Sequence, residues 1–177
     1  MTHKILITGT PGCGKSTLVK RIIEYLNRVR IFNIQGFFTP EVRDCNKRIG
    51  FDIEDLNSGN RFPLARVGNH ASTKKLGKYC IFIGNIEDCL SKLNFVIEDT
   101  SIVFIIDEIG KMELFSSKFE EFVKKIFFSQ SNVIATIGQR LNHPIKYLLK
   151  ELPNIHYFVL NRENQQEIFD KIRKILI

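Results

Sequence analysis

Long apolar runs are missing from this chain. The longest unbroken aliphatic-aromatic stretch, Ile102 to Ile106, has five residues, far short of the roughly 20 that a membrane helix needs. Cysteines are few and unpatterned: Cys13, Cys45, Cys80 and Cys89 form no C-x-x-C pair and have no histidine at zinc spacing. Neither a disulfide framework nor a zinc site is supported, and a reducing, cytoplasmic setting is expected. His3, His70, His143 and His156 likewise show no metal spacing. Internal repeats, low-complexity segments and Pro-, Gly- or Ser-rich linkers are absent, and 177 residues amount to about one domain, 1–177. The N-terminal Met-Thr-His-Lys-Ile-Leu-Ile-Thr turns straight into a strand and a glycine loop, so no signal peptide is expected.

What is present is an ordinary globular mixture, 44% apolar and 25% charged, with a net charge of +7. That charge is uneven: residues 1–50 carry net +6, with no basic tail and no run of five like charges. A positive N-terminal third suits a polyanion, of which a triphosphate is the smallest candidate. A nucleic-acid backbone would be attracted equally.

Strand and helix signals alternate. Lys4–Thr8, Ile102–Ile106, Asn132–Ile137 and Ile155–Leu160 read as strands, the first two as short apolar runs of the buried kind. Helical stripes follow at Leu18, Val19, Ile22, Ile23 and Leu26; at Phe119, Phe122, Val123, Ile126 and Phe127; at Ile145, Leu148 and Leu149 after Pro144; and at Ile168, Phe169, Ile172 and Leu176. This predicts an α/β fold of three layers, a largely parallel sheet with helices on both faces. Residues 34–85 break the rhythm. Short strands at 35–39, 50–54, 61–65 and 79–83, with turn signals at Asp44–Lys47, 57–60 and Gly68-Asn69, predict antiparallel hairpins inserted into the sheet. Ile86, Cys89, Leu90, Leu93 and Ile97 then predict one more helix.

The chemistry begins at Gly9. Gly9, Thr10, Pro11, Gly12, Cys13, Gly14, Lys15 and Ser16, continued by Thr17, satisfy G-x-x-x-x-G-K-[ST] between a strand and a helix. The glycines let backbone N–H groups turn inward around a phosphate, and the following helix aims its positive end at the same anion. Lys15 would reach the β- and γ-phosphates, Ser16 would serve Mg²⁺, and Cys13 is read as filler. Asp107 ends a buried strand, where it suits a Mg²⁺ shell. Glu108, one step on, could orient and polarise a water for in-line attack on the γ-phosphate, or simply be a solvated strand-end acid. Ile109 and Gly110 complete the binding stretch. Lys111 either neutralises charge on the transferring phosphoryl group or pairs with Glu108 or Glu113.

The chain resembles the small thermophilic-type nucleoside-triphosphatases, the family of the cancer-related nucleoside-triphosphatase of animals. The glycine loop is generic. The specific segments are Gly36-Phe-Phe-Thr-Pro-Glu-Val-Arg43, Arg48-Ile-Gly-Phe-Asp52, Leu76-Gly-Lys-Tyr79 and Asp107-Glu-Ile-Gly-Lys-Met-Glu-Leu114, followed by Ala135-Thr-Ile137, His143-Pro144 and Arg162-Glu-Asn164. Where the family usually reads Thr-Ile-Pro, this chain has Thr136-Ile-Gly138. The resemblance implies a P-loop domain with a RecA-like sheet and slow, Mg²⁺-dependent hydrolysis of ATP, GTP and other triphosphates to the diphosphate.

Other residues gain candidate roles. Arg43 or Arg48 could fold over the phosphates as a charge stabiliser, or pair with Glu41. Thr136 could contact the γ-phosphate or the water. Asn161 and Arg162 end the last strand, where a base could stack, or Asn161 caps a helix. A nucleotide or nucleoside kinase shares the loop and the sheet, but the Asp107-Glu108 pair favours water as the acceptor. No Asn-Lys-x-Asp motif supports a guanine-specific switch. A nucleic-acid-stimulated ATPase has only the net charge behind it. No membrane partner is expected, and we expect a monomer.

Overall fold

The computed structural model describes residues 2–68, 70–71, 74–93 and 99–177. Its elements, in chain order, are β1 (Lys4–Gly9), α1 (Lys15–Val29), β2 (Asn33–Phe38), β3 (Glu41–Asp44), β4 (Lys47–Asp55), β5 (Arg61–Val67), β6 (Lys74–Leu76), β7 (Tyr79–Ile81), α2 (Ile83–Ser91), β8 (Ile102–Ile109), a 3₁₀ turn (Glu113–Phe115), α3 (Ser117–Phe127), β9 (Asn132–Gly138), α4 (Pro144–Lys150), β10 (Ile155–Leu160) and α5 (Gln165–Leu176).

All ten strands join one sheet, in the order β10-β1-β9-β8-β2-β4-β5-β7-β6, with β3 on β4. The first five are mutually parallel, and every later pairing is antiparallel. The central strands β1 and β9 are buried almost throughout, and β8 likewise. Their alternate residues feed two cores, because side chains leave a strand on opposite faces. Ile5, Ile7, Val103 and Ile105 pack with α1 and α5 through Leu18, Ile22, Ile168 and Ile172. Leu6, Phe104, Ile106 and Ala135 pack with α2, α3 and α4 through Ile86, Phe119, Val123 and Ile145. Helices thus cover both faces of the parallel half, which delivers the carboxyl ends of β1, β8 and β9 to one edge.

Four details depart from the sequence expectations. The sequence groups β2 with the antiparallel insert, and it does pair antiparallel with β4 at Phe37 and Phe38, but along its whole length it pairs in parallel with β8, Asn33 opposite Ile102 to Phe38 opposite Asp107; local periodicity does not reveal a strand's partner. β3 and β6 are additional short strands. The helical stripe places Leu148 inward, yet it is exposed, because the seven-residue α4 buries only Ile145 and Leu149, one turn apart. Helix α2 ends at Ser91, so Leu93 is buried beyond it. Asn69 and Ile97 lie outside the described residues. Among the described residues, no helix is long and apolar enough to cross a membrane, and all four cysteines are free.

Candidate active site

β1 ends at Gly9 and the chain turns into α1. Gly12 and Gly14 take φ values of 75° and 101°, a region costly for any residue with a Cβ. Gly14 is the N-cap of α1, which has no side-chain cap and no acid in its first turn. Helix α3 is built differently: Ser116 Oγ accepts from the Phe119 N–H at 3.2 Å, and Glu120 sits in its first turn. The free N–H groups and positive end of α1 are therefore left for an anion. Lys15, buried at the first helical position, donates from Nζ to the carbonyls of Gly9 (3.1 Å) and Thr10 (3.3 Å). From far along the chain, Gln165 Nε2 at the start of α5 donates to the Cys13 carbonyl at 2.9 Å, clasping the back of the loop. Cys13 is buried, while Thr10, Pro11, Gly12, Ser16 and Thr17 are exposed.

β8 brings the carboxylates. Asp107 is 2% exposed. Burial pushes its pKa above the ordinary carboxylate value, against the Ser16 and Thr136 hydroxyls and the Lys15 and Lys20 charges. The Thr136 hydroxyl donates to Asp107 Oδ1 at 3.0 Å, so Thr136, itself fully buried, holds the carboxylate from β9. On the other side, Thr39 Oγ1 donates to the Asp107 carbonyl at 2.5 Å, tying down the end of β2. Glu108 follows across a cis peptide bond and is half-buried. Burial raises its pKa and the Asp107 charge adds to that, while Lys15 opposes both. A Cβ placed on Gly138 would lie 3.2 Å from Glu108 Oε1, so the Glu108 carboxylate abuts the loop leaving β9.

Glu113, on the 3₁₀ turn, reads in the sequence only as a partner for Lys111. It is buried, and burial pushes its pKa up to about 8, against hydrogen bonds from its own N–H and that of Gly110. Lys111 is exposed and, among the described residues, forms no ion pair with Glu108 or Glu113. Ile109 is core, and Gly110 is half-buried above Glu113.

Two hollows flank the loop. A cavity of about 220 Å³ is lined by Gly9, Pro11, Lys15, Glu108, Gly110, Lys111, Gly138, Gln139, Arg140 and Leu141. A larger cleft of about 580 Å³ runs from Gly12, Gly14, Lys15, Ser16 and Thr17 past Asp107 and Glu108 to Lys20, Phe38, Thr39, Glu41, Arg48, Phe51 and Glu54. The Ser16 hydroxyl and the Asp107 carboxylate meet in this cleft. That pair suits Mg²⁺, which takes one or two protein oxygens beside substrate phosphates and water.

The remaining candidates lie further out. Arg43 donates to Glu41 Oε2 from Nε (3.0 Å) and Nη2 (2.8 Å), and Arg48 also pairs with Glu41. The two guanidiniums outweigh the upward push of burial and hold the Glu41 pKa below its ordinary value. Of the two, only Arg48 lines the cleft. Asn161 is exposed and accepts from the N–H groups of Glu163 (2.8 Å) and Asn164 (2.9 Å). The N-cap of α5 is Asn164 instead. Arg162 is exposed. Residues that sequence reading missed are Arg140, Gln165 and the burial of Glu113; only the position of Arg140 just past a strand end hinted at the first.

A family model described as NTPase matches residues 4–173. The nucleoside-triphosphatase THEP1 of Thermotoga maritima is 39% identical over 174 residues, 98% of this chain and 95% of that protein. The THEP1 of Methanopyrus kandleri is 34% identical over 173 residues, 97% of this chain and 94% of its own. The crystal structure of THEP1 from Aquifex aeolicus superposes with a TM-score of 0.81 at 36% identity, covering 98% of each chain. The solution structure of a human cancer-related nucleoside triphosphatase gives 0.78 at 30% identity, covering 99% of this chain and 97% of that one. With an uncapped glycine loop at one strand end and paired acids at the next but one, shared along nearly the whole length with these proteins, the chain belongs to the NTPase family of the THEP1 nucleoside-triphosphatases.

Proposed function

We propose that this chain hydrolyses nucleoside 5′-triphosphates to the diphosphate and phosphate, slowly, with Mg²⁺ and with little regard for the base. One observation carries the reading: a half-buried carboxylate, Glu108, shares a small cavity with the P-loop lysine, next to the buried Asp107. The N–H groups of the Gly9–Ser16 loop, the start of α1 and Lys15 would bind the β- and γ-phosphates. Mg²⁺, held through Ser16 and Asp107, would supply charge neutralisation between those phosphates. Thr136 keeps Asp107 in place for that task.

Glu108 is suited to accept a hydrogen bond from a water aligned with the γ-phosphorus. Attack forms a new P–O bond as the bond to the β–γ bridging oxygen breaks. The diphosphate leaves with the electron pair, and the water's proton passes to Glu108 or to a phosphate oxygen. Lys111, exposed and in no ion pair among the described residues, lines the same cavity and can reach the same group, and ordering such a side chain at each turnover fits a slow enzyme. Broad base use is supported by the outer strand end. There Asn161 is occupied by its own turn and Arg162 is exposed, whereas strong discrimination, about 10⁴-fold, needs buried polar groups dedicated to the base edge.

The test is phosphate release from ATP, GTP, CTP and UTP with Mg²⁺, with and without an added nucleoside or nucleotide. Rates within about tenfold of one another, unchanged by the acceptor, are expected. A hundredfold preference for one base would overturn the broad specificity, and transfer of phosphate to the acceptor would make the chain a kinase whose reaction with water is a leak.

A further inference from the structure

Charge develops on the γ-phosphoryl oxygens and the bridging oxygen as the phosphoryl group transfers, and a P-loop lysine covers only part of it. The arginines of the inserted hairpin are poorly placed to cover the rest, because Glu41 holds both Arg43 and Arg48. Arg140 is in a different position. It is exposed, enters no ion pair among the described residues, and lines the same 220 Å³ cavity as Lys15, Glu108 and Lys111.

The backbone that carries Arg140 is pinned, while its side chain is exposed. The Leu141 N–H donates to the Gly138 carbonyl at 3.1 Å, and Leu141 is 7% exposed. Lys146 Nζ donates to the carbonyls of Gly138 (3.4 Å) and Gln139 (2.5 Å). The loop also abuts Glu108, whose Oε1 lies 3.2 Å from where a Gly138 Cβ would be. A pinned loop with an exposed guanidinium in no ion pair among the described residues, set beside the water-orienting carboxylate, provides a cation that engages when phosphate oxygens are there to receive it.

We infer that Arg140 is a catalytic residue that binds the transferring γ-phosphoryl group from the β9–α4 loop and neutralises the charge that accumulates there. This rests on the hydrolase reading above and adds a residue to it. Its planar, bidentate donors match two phosphate oxygens in a way that an ammonium does not. Leu141 beside it gives the cavity an apolar wall, in which that charge is worth more than in open water.

The test compares Arg140→Ala and Arg140→Lys with the wild-type chain. It reads steady-state ATP hydrolysis, the thermal melt, and the affinity for MgADP with and without aluminium fluoride, a planar stand-in for the transferring group. For Arg140→Ala, kcat should fall about 10²–10³-fold with KM within about threefold, at or below the low end of what an arginine engaging the transferring phosphoryl group contributes, because the side chain is not held in place beforehand. Affinity for MgADP alone should stay put, whereas the tightening brought by fluoride should be lost. Arg140→Lys should recover part of both, with the melt unchanged. Near-wild-type kcat and fluoride affinity in Arg140→Ala would overturn the assignment. So would a loss appearing equally in MgADP affinity, which marks a ground-state contact. The fluoride arm needs no turnover, so it judges Arg140 even if the wild-type chain releases no phosphate. That second result would remove the hydrolase reading instead.

Discussion

The parallel and antiparallel halves of the sheet treat their charged residues in opposite ways. In the parallel half, strands buried on both faces end together, and the ionisable groups at those ends, Lys15 and Asp107, are 9% and 2% exposed and held by named hydrogen bonds. In the antiparallel half the charges pair with one another, within a strand or across neighbouring strands. Glu41 takes Arg43 and Arg48, Asp52 takes Arg66, and Glu54 takes Arg61. Most of these pairs are open to solvent, where an ion pair contributes about 0–1 kcal/mol. The N-terminal third owes its positive charge to both halves, but the nearly fully buried Lys15 and Asp107 belong to the parallel half, and the hairpin charges only border the cleft. Burial with incomplete compensation is what raises the pKa of Asp107, Glu108 and Glu113. In the hairpins, compensation is complete enough to lower that of Glu41.

The largest effect should come from Lys15→Ala. No neighbour duplicates that ammonium at the loop, so triphosphate binding and turnover should both be lost while the melting curve survives; isothermal titration with ATP checks this, and retained micromolar binding would remove the P-loop from the account. Thr136→Val comes next. It deletes the hydroxyl that steadies Asp107, a hydrogen bond to a charged group worth about 1.5–3 kcal/mol. The Mg²⁺ concentration for half-maximal activity should rise about 10-fold or more, with ATP affinity in the absence of metal unchanged. Glu113→Gln should act on stability. The wild-type carboxyl has a folded pKa of about 8 against an ordinary 4.5. Its contribution is therefore fully present below pH ~4.5 and is lost as pH climbs toward ~8. Melts of wild type and variant should accordingly diverge in the variant's favour by on the order of 3–4 kcal/mol between about pH 5 and pH 8; parallel curves would mean that Glu113 stays ionised in the fold. Arg43→Ala should do least, changing kcat by less than about threefold and stability by under about 1 kcal/mol, since it breaks only an exposed pair with Glu41. A larger kinetic loss would blur the contrast between the two halves.

Legibility followed the range of the constraint. The phosphate loop could be read because its requirements are local: glycines at set spacing, then lysine and serine, between a strand and a helix. Asp107 and Glu108 could be read because they end an unmistakable apolar run. The partner of β2 could not, since Asn33–Phe38 shows the same apolar pattern whether its neighbour runs parallel or antiparallel. Nor could the clasp from Gln165 to Cys13, which joins residues 152 positions apart. The placing of Arg140 depends on how Leu141 and Lys146 fold the loop after β9, and Glu113 reads as an ordinary surface acid until the 3₁₀ turn buries it.

That a half-buried carboxylate at the end of β8 directs water onto a bound triphosphate is decided most directly by measuring ATP affinity and single-turnover hydrolysis together in Glu108→Gln. The amide keeps the shape and removes the charge that orients the water. Affinity for MgATP should stay within about threefold, while hydrolysis slows by about 10²–10⁴-fold, or roughly 3–5 kcal/mol of transition-state stabilisation. Hydrolysis at close to the wild-type rate, with ATP bound as tightly, would return Glu108 to a strand-end acid and leave the water without its guide.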